Sequence, residues 1–334
     1  MNKSSVLLVS SVFAVSACTL FYLSKLLRKP HVKKDLAKTA PHSTIGDTYL
    51  KKVNEFDKEN LSLEFANCIC SLVKVSDYDT RQQLIMYLHQ ASSFCQNFFQ
   101  SVIRDSKCLE TLLSLLDSST SMAPACRQNL SILQVTTNLA CDQRSLPVIM
   151  DYLDDIFSIA DTKEYSDQAC AALQVLANIA LTPAGCNLLI NDCGRLCKML
   201  GMRDPYLLRN LLAVLVNLSC DVNGCDKLLA QNGEDFVRTL EYSLSSDVPL
   251  LISMKMTTFL NNLYSRIMKD QDKYWNKSES AIITKTIAIS LKENHNLIQS
   301  WILCLLPLSE DSNEFNAHLQ KLLSILTDIK TSNV

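Results

Sequence analysis

The sequence repeats itself at an interval close to 40 residues. Residues 173–180 read LQVLANIA and residues 212–219 read LAVLVNLS, 39 residues further on. Four later pairs share that interval of 39: Gly185 and Gly224, Cys186 and Cys225, Leu189 and Leu228, and Gly194 and Gly233. An earlier copy, LQVTTNLA, occupies residues 133–140, and a later one, TFLNNL, occupies residues 258–263. Such a period is typical of proteins whose units bury their apolar faces only by stacking on neighbours.

The repeated units have the apolar spacing of helices. Apolar residues recur at intervals of three and four along the body, and no convincing strand alternation occurs. Helical units of about 40 residues are characteristic of armadillo and HEAT-type solenoids. We therefore predict an all-α, armadillo-like α-solenoid over residues 57–330, with room for six or seven units.

Proline and glycine positions suggest where helices begin and end. Pro183 and Pro205 are predicted to open helices, because proline fits the first helical turn. Gly194 and Gly233 are predicted to lie between helices in a left-handed backbone conformation, which glycine adopts without steric cost.

The charge distribution argues against nucleic acid as a partner. The formal net charge is −2, but residues 1–40 carry seven basic residues and one acidic residue. The remaining 294 residues therefore sum to −8. Nucleic-acid binding requires a basic surface, and only the N-terminal part of this chain is basic.

The N-terminal residues have the pattern of a membrane anchor. Residues 4–24 contain no charge and are long enough as a helix to span about 30 Å of hydrocarbon. A basic cluster follows this run, so we predict a signal-anchor transmembrane helix within residues 1–29 with the C-terminal body in the cytosol. The alternative is a signal peptide cleaved after Ala17. Residues 30–56 are polar and are predicted to form a tether.

The segment LVNLS at residues 215–219, with a glycine about 16 residues later, resembles the armadillo repeat. The order of anchor, basic flank, tether and repeat array is similar to the Alex-type mitochondrial outer-membrane armadillo proteins. That resemblance implies an adaptor on the cytosolic face of the mitochondrial outer membrane that recruits proteins affecting mitochondrial positioning, transport or dynamics. The implied partners are the Miro and kinesin-adaptor machinery. The alternative function is an armadillo-like peptide-binding chaperone or exchange factor of the secretory pathway, located in the endoplasmic reticulum.

The armadillo resemblance also implies partner-binding residues. In armadillo proteins an asparagine on the third helix of each unit binds the backbone of an extended peptide, and the matching positions are Asn138, Asn178, Asn217 and Asn262. His89 is predicted near that position in a degenerate early unit. The alternative is that these asparagines bond neighbouring helix ends. Importin-type grooves carry tryptophan one turn earlier, whereas this chain has Gln134, Gln174, Ala213 and Thr258, which argues against a nuclear-signal receptor.

The remaining reactive residue types do not form a recognisable chemical site. The 14 cysteines fall singly within apolar runs, so reduced, buried thiols in a cytosolic body are predicted. Cys186, Cys193 and Cys197 lack the spacing of a zinc site and are predicted to pack in the core. No phosphate-binding glycine motif and no paired nucleophile and base occur in the sequence, so we predict no cofactor, no metal and no enzymatic activity.

Overall fold

Helices form nearly all of the described chain. The structure, a computed structural model, describes residues 63–94, 96–105, 107–117, 123–162, 166–243, 248–270, 274, 286–309 and 313–332. The α-helices in these ranges are α1 (Leu63–Val75), α2 (Tyr78–Phe94), α3 (Gln96–Asp105), α4 (Cys108–Leu113), α5 (Ala123–Leu139), α6 (Leu146–Met150), α7 (Leu153–Ala160), α8 (Ser166–Ile179), α9 (Pro183–Leu189), α10 (Cys193–Lys198), α11 (Pro205–Cys220), α12 (Val222–Leu229), α13 (Glu234–Ser243), α14 (Leu250–Lys269), α15 (Ile287–Glu293), α16 (His295–Leu305) and α17 (Asn313–Ser332).

Six long helices pack side by side in chain order. They are α2, α5, α8, α11, α14 and α17, and each contacts the next along the series. Among the α-helices of the described ranges, two shorter ones lie between successive members of this series. We call the six long helices the third helices, because each ends a unit of three from α3 onward. The described residues therefore form an all-α solenoid of armadillo type, as the repeat interval predicted.

The predicted anchor and tether lie outside the described residues. Across the ranges that the structure describes, no helix combines the length and the apolar character needed to cross a bilayer.

The two prolines begin helices as predicted. Pro183 opens α9 behind the N-cap Thr182, whose hydroxyl accepts a hydrogen bond from the backbone N–H of Gly185. Pro205 opens α11 behind the N-cap Asp204, whose carboxylate accepts hydrogen bonds from two backbone N–H groups. These caps satisfy donors that the first helical turn leaves without intrahelical partners.

The recurring glycines are needed for close packing between units. A Cβ atom on Gly185 would lie 1.9 Å from the carbonyl oxygen of Ile179, at the end of α8. A Cβ atom on Gly224 would lie 2.4 Å from the carbonyl oxygen of Leu218, near the end of α11. Helices α9 and α12 therefore turn so sharply against the preceding third helix that a larger residue at Gly185 or Gly224 would clash.

The left-handed conformation predicted for the other glycine pair was wrong, although Gly233 lies between two helices as predicted. Gly194 lies within the first turn of α10, and Gly233 directly precedes α13. Within the described ranges no glycine has a positive φ, and the one non-glycine residue with a positive φ is Lys107, at 61°. Helices α9 and α10 are joined by the 3₁₀ segment Ile190–Asp192, and α12 and α13 are joined by residues 230–233, without a left-handed residue in either connection.

The core runs along the inner faces of the third helices. Leu173 and Leu176 of α8 and Leu212 and Leu215 of α11 are fully buried, as the helical spacing predicted. Phe259 of α14 is fully buried as well, and its ring edge packs against a phenylalanine of α13. Burial of these faces between layers is the main contribution to stability in such an array.

The prediction that the cysteines are reduced was wrong for one pair. Cys70 of α1 and Cys108 of α4 form a disulfide, with Cα atoms 5.4 Å apart. Both side chains are buried. The two residues are 38 positions apart in sequence, so their spacing alone did not single them out. Packing of α4 against α1 brings them together.

Candidate peptide-binding surface

Asn178 and Asn217 connect neighbouring third helices in the same way. Asn178 donates a hydrogen bond from Nδ2 to the carbonyl oxygen of Thr137 at 2.8 Å, and Asn217 donates to the carbonyl oxygen of Ala177 at 2.9 Å. Each acceptor directly precedes the asparagine of the preceding unit. The acceptors are among the last four carbonyls of their helices, which have no intrahelical partner. Each asparagine therefore caps the third helix before its own.

The two outer asparagines make closely related contacts. Asn262 donates from Nδ2 to the hydroxyl of Ser219 at 2.9 Å and approaches the carbonyl oxygen of Val216 at 3.4 Å. Asn138 donates to the hydroxyl of Ser92 at 2.8 Å. Ser92 and Ser219 lie in the last turns of α2 and α11. The structure thus brings all four predicted asparagines into one row across α5, α8, α11 and α14, which we call the asparagine row.

These contacts show that the asparagines have a structural role, the alternative that the sequence left open. These contacts do not use all the hydrogen-bond donors and acceptors of the side-chain amides. Asn178 and Asn217 are half-buried, and within the described residues each makes one side-chain hydrogen bond. A primary amide offers two donors and an acceptor oxygen. One N–H and the Oδ1 atom of each side chain therefore have no partner in that part of the chain, and partner binding stays a prediction.

In the first third helix, Gln90 occupies the asparagine position. The hydroxyl of Ser92 accepts from Asn138 and donates to the carbonyl oxygen of His89. The hydroxyl of Ser219 in the same way donates to the carbonyl oxygen that directly precedes Asn217. His89 therefore matches the residue directly before the asparagine, so it lies near the asparagine position as predicted but does not occupy it. Burial lowers the pKa of His89.

The exposed stripe beside the asparagine row is uncharged. Within a helix, residues four before and three after an asparagine share its face, and α5 and α8 end one residue after their asparagines. At these positions the chain has Gln134, Gln174, Ala213 and Thr258, followed by Cys141, Leu181, Cys220 and Ser265, all partly or fully exposed. Small and amide side chains leave room for a peptide backbone to approach the row. No stripe of tryptophans is present here, in agreement with the sequence.

Most cysteines of the central units are core residues. Cys186, Cys193 and Cys197 are buried, as predicted. Burial raises the pKa of Cys193 to about 11, and burial raises the pKa of Cys225 to about 12. Such thiols are poor nucleophiles because the reactive form is the thiolate. Among the described residues, no group of three His, Cys, Asp or Glu side chains has the arrangement of a metal site.

Comparison with known proteins identifies the class of fold. No protein-family model matches the sequence, and no curated protein matches it. Among solved structures, the designed armadillo repeat protein YIII(Dq)4CqI is similar with a TM-score of 0.54 and 17% identity, over 78% of this chain and 99% of that one. An engineered protein from a structural-genomics consortium gives a TM-score of 0.62 at 15% identity, over 94% of this chain and 69% of that one.

A further neighbour was solved with a ligand. The designed armadillo repeat protein YIII(Dq.V1)4CPAF, in complex with the peptide (KR)4, has a TM-score of 0.55 and 15% identity, over 78% of this chain and 98% of that one. Identities at this level demonstrate a shared fold and nothing finer. The fold of this chain is therefore armadillo-like.

Proposed function

We propose that this chain is a scaffold that binds an extended peptide segment of a partner protein along its third helices. The asparagine row, formed by Asn138, Asn178, Asn217 and Asn262, holds the peptide backbone. The observation behind this proposal is that Asn178 and Asn217 each keep two hydrogen-bonding groups that their contacts with the preceding helix do not use. Each keeps one N–H and one Oδ1 without a partner in the described chain, and together they complement the C=O and N–H of a peptide unit.

The spacing of the row supports an extended ligand. Packed helices lie about 8–10 Å apart, whereas an extended chain advances about 3.3 Å per residue. One asparagine therefore meets about every third residue of the ligand. The complex of a designed armadillo repeat protein with the peptide (KR)4 supports peptide recognition by this fold.

The finer proposal concerns the location of the scaffold. Residues 4–24 anchor the chain in the mitochondrial outer membrane, and the body recruits proteins that affect mitochondrial positioning, transport or dynamics, including the Miro and kinesin-adaptor machinery. Support comes from the apolar run, its basic flank and the resemblance to Alex-type proteins. A tagged full-length chain should coat mitochondria, and deletion of residues 1–29 should disperse it. Reticular staining of the full-length chain would contradict this location.

One observation favours the alternative location. The disulfide between Cys70 and Cys108 is of a kind that persists in oxidising compartments and is rare in the cytosol. It supports a peptide-binding chaperone or exchange factor of the secretory pathway. Sequencing the N-terminus of the mature chain separates the two locations, because cleavage after Ala17 is expected only in the second. Residues 276–278 read NKS, which is a sequon for N-glycosylation. Glycosylation at Asn276 would also place the body in the lumen.

The peptide-binding proposal is tested with the full-length chain in mild detergent and a displayed library of random eight-residue peptides. We expect a set of peptides to be enriched and to compete with one another for a single surface. Failure to enrich any peptide above a detergent-only control would overturn the proposed function.

A further inference from the structure

A second set of facing positions lies beside the asparagine row, closer to the helix N-termini. Each pair joins two positions on neighbouring third helices. The first position lies eight residues before the asparagine position of its own helix, and the second lies seven residues before the asparagine position of the next third helix. Gln82 of α2, eight before Gln90, donates from Nε2 to the hydroxyl of Ser131, seven before Asn138, at 2.7 Å. The two positions therefore face each other across neighbouring third helices.

The same pairing recurs between α8 and α11. Cys170 lies eight residues before Asn178, and Asn210 lies seven before Asn217. Burial raises the pKa of Cys170, while the side chain of Asn210 acts in the opposite direction, so the two groups are neighbours. Asn210 is buried, but its Nδ2 atom makes no hydrogen bond in the described chain.

Between α11 and α14 the two positions are occupied by cations. Arg209 is eight residues before Asn217, and Lys255 is seven before Asn262. Both side chains are half-exposed. Burial lowers the pKa of Lys255, and the charge of Arg209 lowers it further. Neither cation forms an ion pair with any described residue. The two positions that Gln82 and Ser131 occupy as a hydrogen-bonded pair between α2 and α5 are therefore occupied by two repelling cations between α11 and α14.

Two acidic residues, Asp204 and Asp167, lie in the same layers as Arg209. Asp204 caps α11 and accepts hydrogen bonds from two backbone N–H groups. Asp167, in the first turn of α8, acts on Cys170 together with Asp204. The charged group that lowers the pKa of Lys255, after burial, is Arg209. An incoming anion would therefore meet two cations without displacing a partner.

The charge of the third helices differs in sign from that of the body. Helices α5, α8, α11 and α14 together contain five basic residues and one acidic residue, namely Arg127, Arg209, Lys255, Arg266, Lys269 and Asp167. Residues 41–334 as a whole have a net charge of −8. The acidic residues are thus concentrated away from the candidate surface, and this segregation favours an anionic ligand there.

We propose that Arg209 and Lys255 form a clamp for the carboxylate of an aspartate or glutamate in the bound peptide, so that the scaffold selects acidic segments. This inference rests on the proposed peptide binding. The clamp lies about 11–12 Å along the helix axis from the asparagine row, given a rise of about 1.5 Å per residue. The long side chains of the clamp and of the ligand bridge that distance. Ligand binding then relieves the repulsion between the two cations.

The test compares binders selected by the full-length chain with those selected by Arg209→Gln/Lys255→Gln. We expect the wild type to enrich aspartate and glutamate over lysine and arginine, and the double variant to lose that preference. For one selected acidic peptide, the double variant should bind about tenfold more weakly, since two partly exposed charge pairs contribute about 1–2 kcal/mol. Replacing the peptide's glutamate by glutamine should weaken binding to the wild type by the same factor and leave binding to the double variant unchanged.

The matched control is Arg127→Gln/Lys269→Gln, which removes two exposed cations from the third helices outside the clamp. It should retain the acidic preference. An equal loss in the control, or no acidic preference in the wild type, would overturn the clamp. Enriched peptides without acidic preference leave the proposed function standing, whereas the absence of any enriched peptide removes both. Thermal unfolding of the double variant should occur at or above the wild-type temperature, because a repulsive pair has been removed.

Discussion

The side-chain amide of Asn217 donates a hydrogen bond to the carbonyl of Ala177, the residue that directly precedes Asn178 in the preceding unit. Asn178 repeats this contact one unit earlier, on Thr137. The same residue type thus fixes the register between layers and presents the remainder of its amide group at the surface. Stability and binding are therefore linked at these positions, and variants must be compared on both properties.

Replacing Asn178 and Asn217 together with alanine should abolish peptide capture while the chain remains folded. Each substitution removes one interlayer hydrogen bond, so the free energy of unfolding should fall by about 1–3 kcal/mol in total. Peptide binding and chemical denaturation measure the two effects. The matched control is Asn191→Ala/Asn223→Ala, which alters two exposed asparagines outside the third helices. Capture that survives the first change would assign the asparagine row a purely structural role.

Gly185→Ala should destabilise the chain by about 1–3 kcal/mol, because the new Cβ atom would overlap the carbonyl of Ile179. Gly224→Ala should have a similar effect against Leu218. The control is Gly194→Ala, where the nearest atom is the flexible end of the Gln231 side chain at 2.9 Å. Urea denaturation of the three variants provides the comparison. Equal destabilisation by all three would contradict the role assigned to Gly185 and Gly224.

Loss of the disulfide should destabilise the N-terminal units. Cys70→Ser/Cys108→Ser is expected to reduce the free energy of unfolding by about 2–4 kcal/mol, since the bond closes a loop between residues 38 positions apart. Thermal unfolding with and without reductant provides the measurement in the wild type. A reductant-insensitive melting temperature would argue against the bond. Alkylation of the protein directly after cell lysis, followed by mass spectrometry of the peptides, determines whether the pair is oxidised in the cell.

Stability should decrease in alkaline solution. Burial raises the pKa of Cys193 from an ordinary value of 9.0 to about 11, and that of Cys225 to about 12. Above pH 9 the unfolded chain releases these protons while the folded chain retains them, so the free energy of unfolding falls as the pH rises from about 9 towards 11. Urea unfolding at pH 8 and pH 10 should show this decrease.

Cys193→Ala should reduce that pH dependence, whereas the control Cys304→Ala, which removes an exposed thiol, should not. The same pH dependence in both variants would contradict the assignment to buried thiols.

The sequence by itself determined the class of fold and the position of the asparagine row. The spacing of apolar residues and the interval of 39 residues can be read directly from the sequence. Both follow from the need of each helix to bury one face against its neighbours. Pro183 and Pro205 begin helices for the same reason, since a fixed φ and a missing N–H act within one helical turn.

Only the tertiary structure decided which distant residues meet. The pairing of Cys70 with Cys108, the close approach at Gly185 and the juxtaposition of Arg209 with Lys255 all depend on how one layer is rotated and shifted against the next. The match of Gln90, rather than His89, to the asparagine position depends on that register as well. The register between two helices is set by many small contacts along their length, and the repeat interval does not specify these contacts.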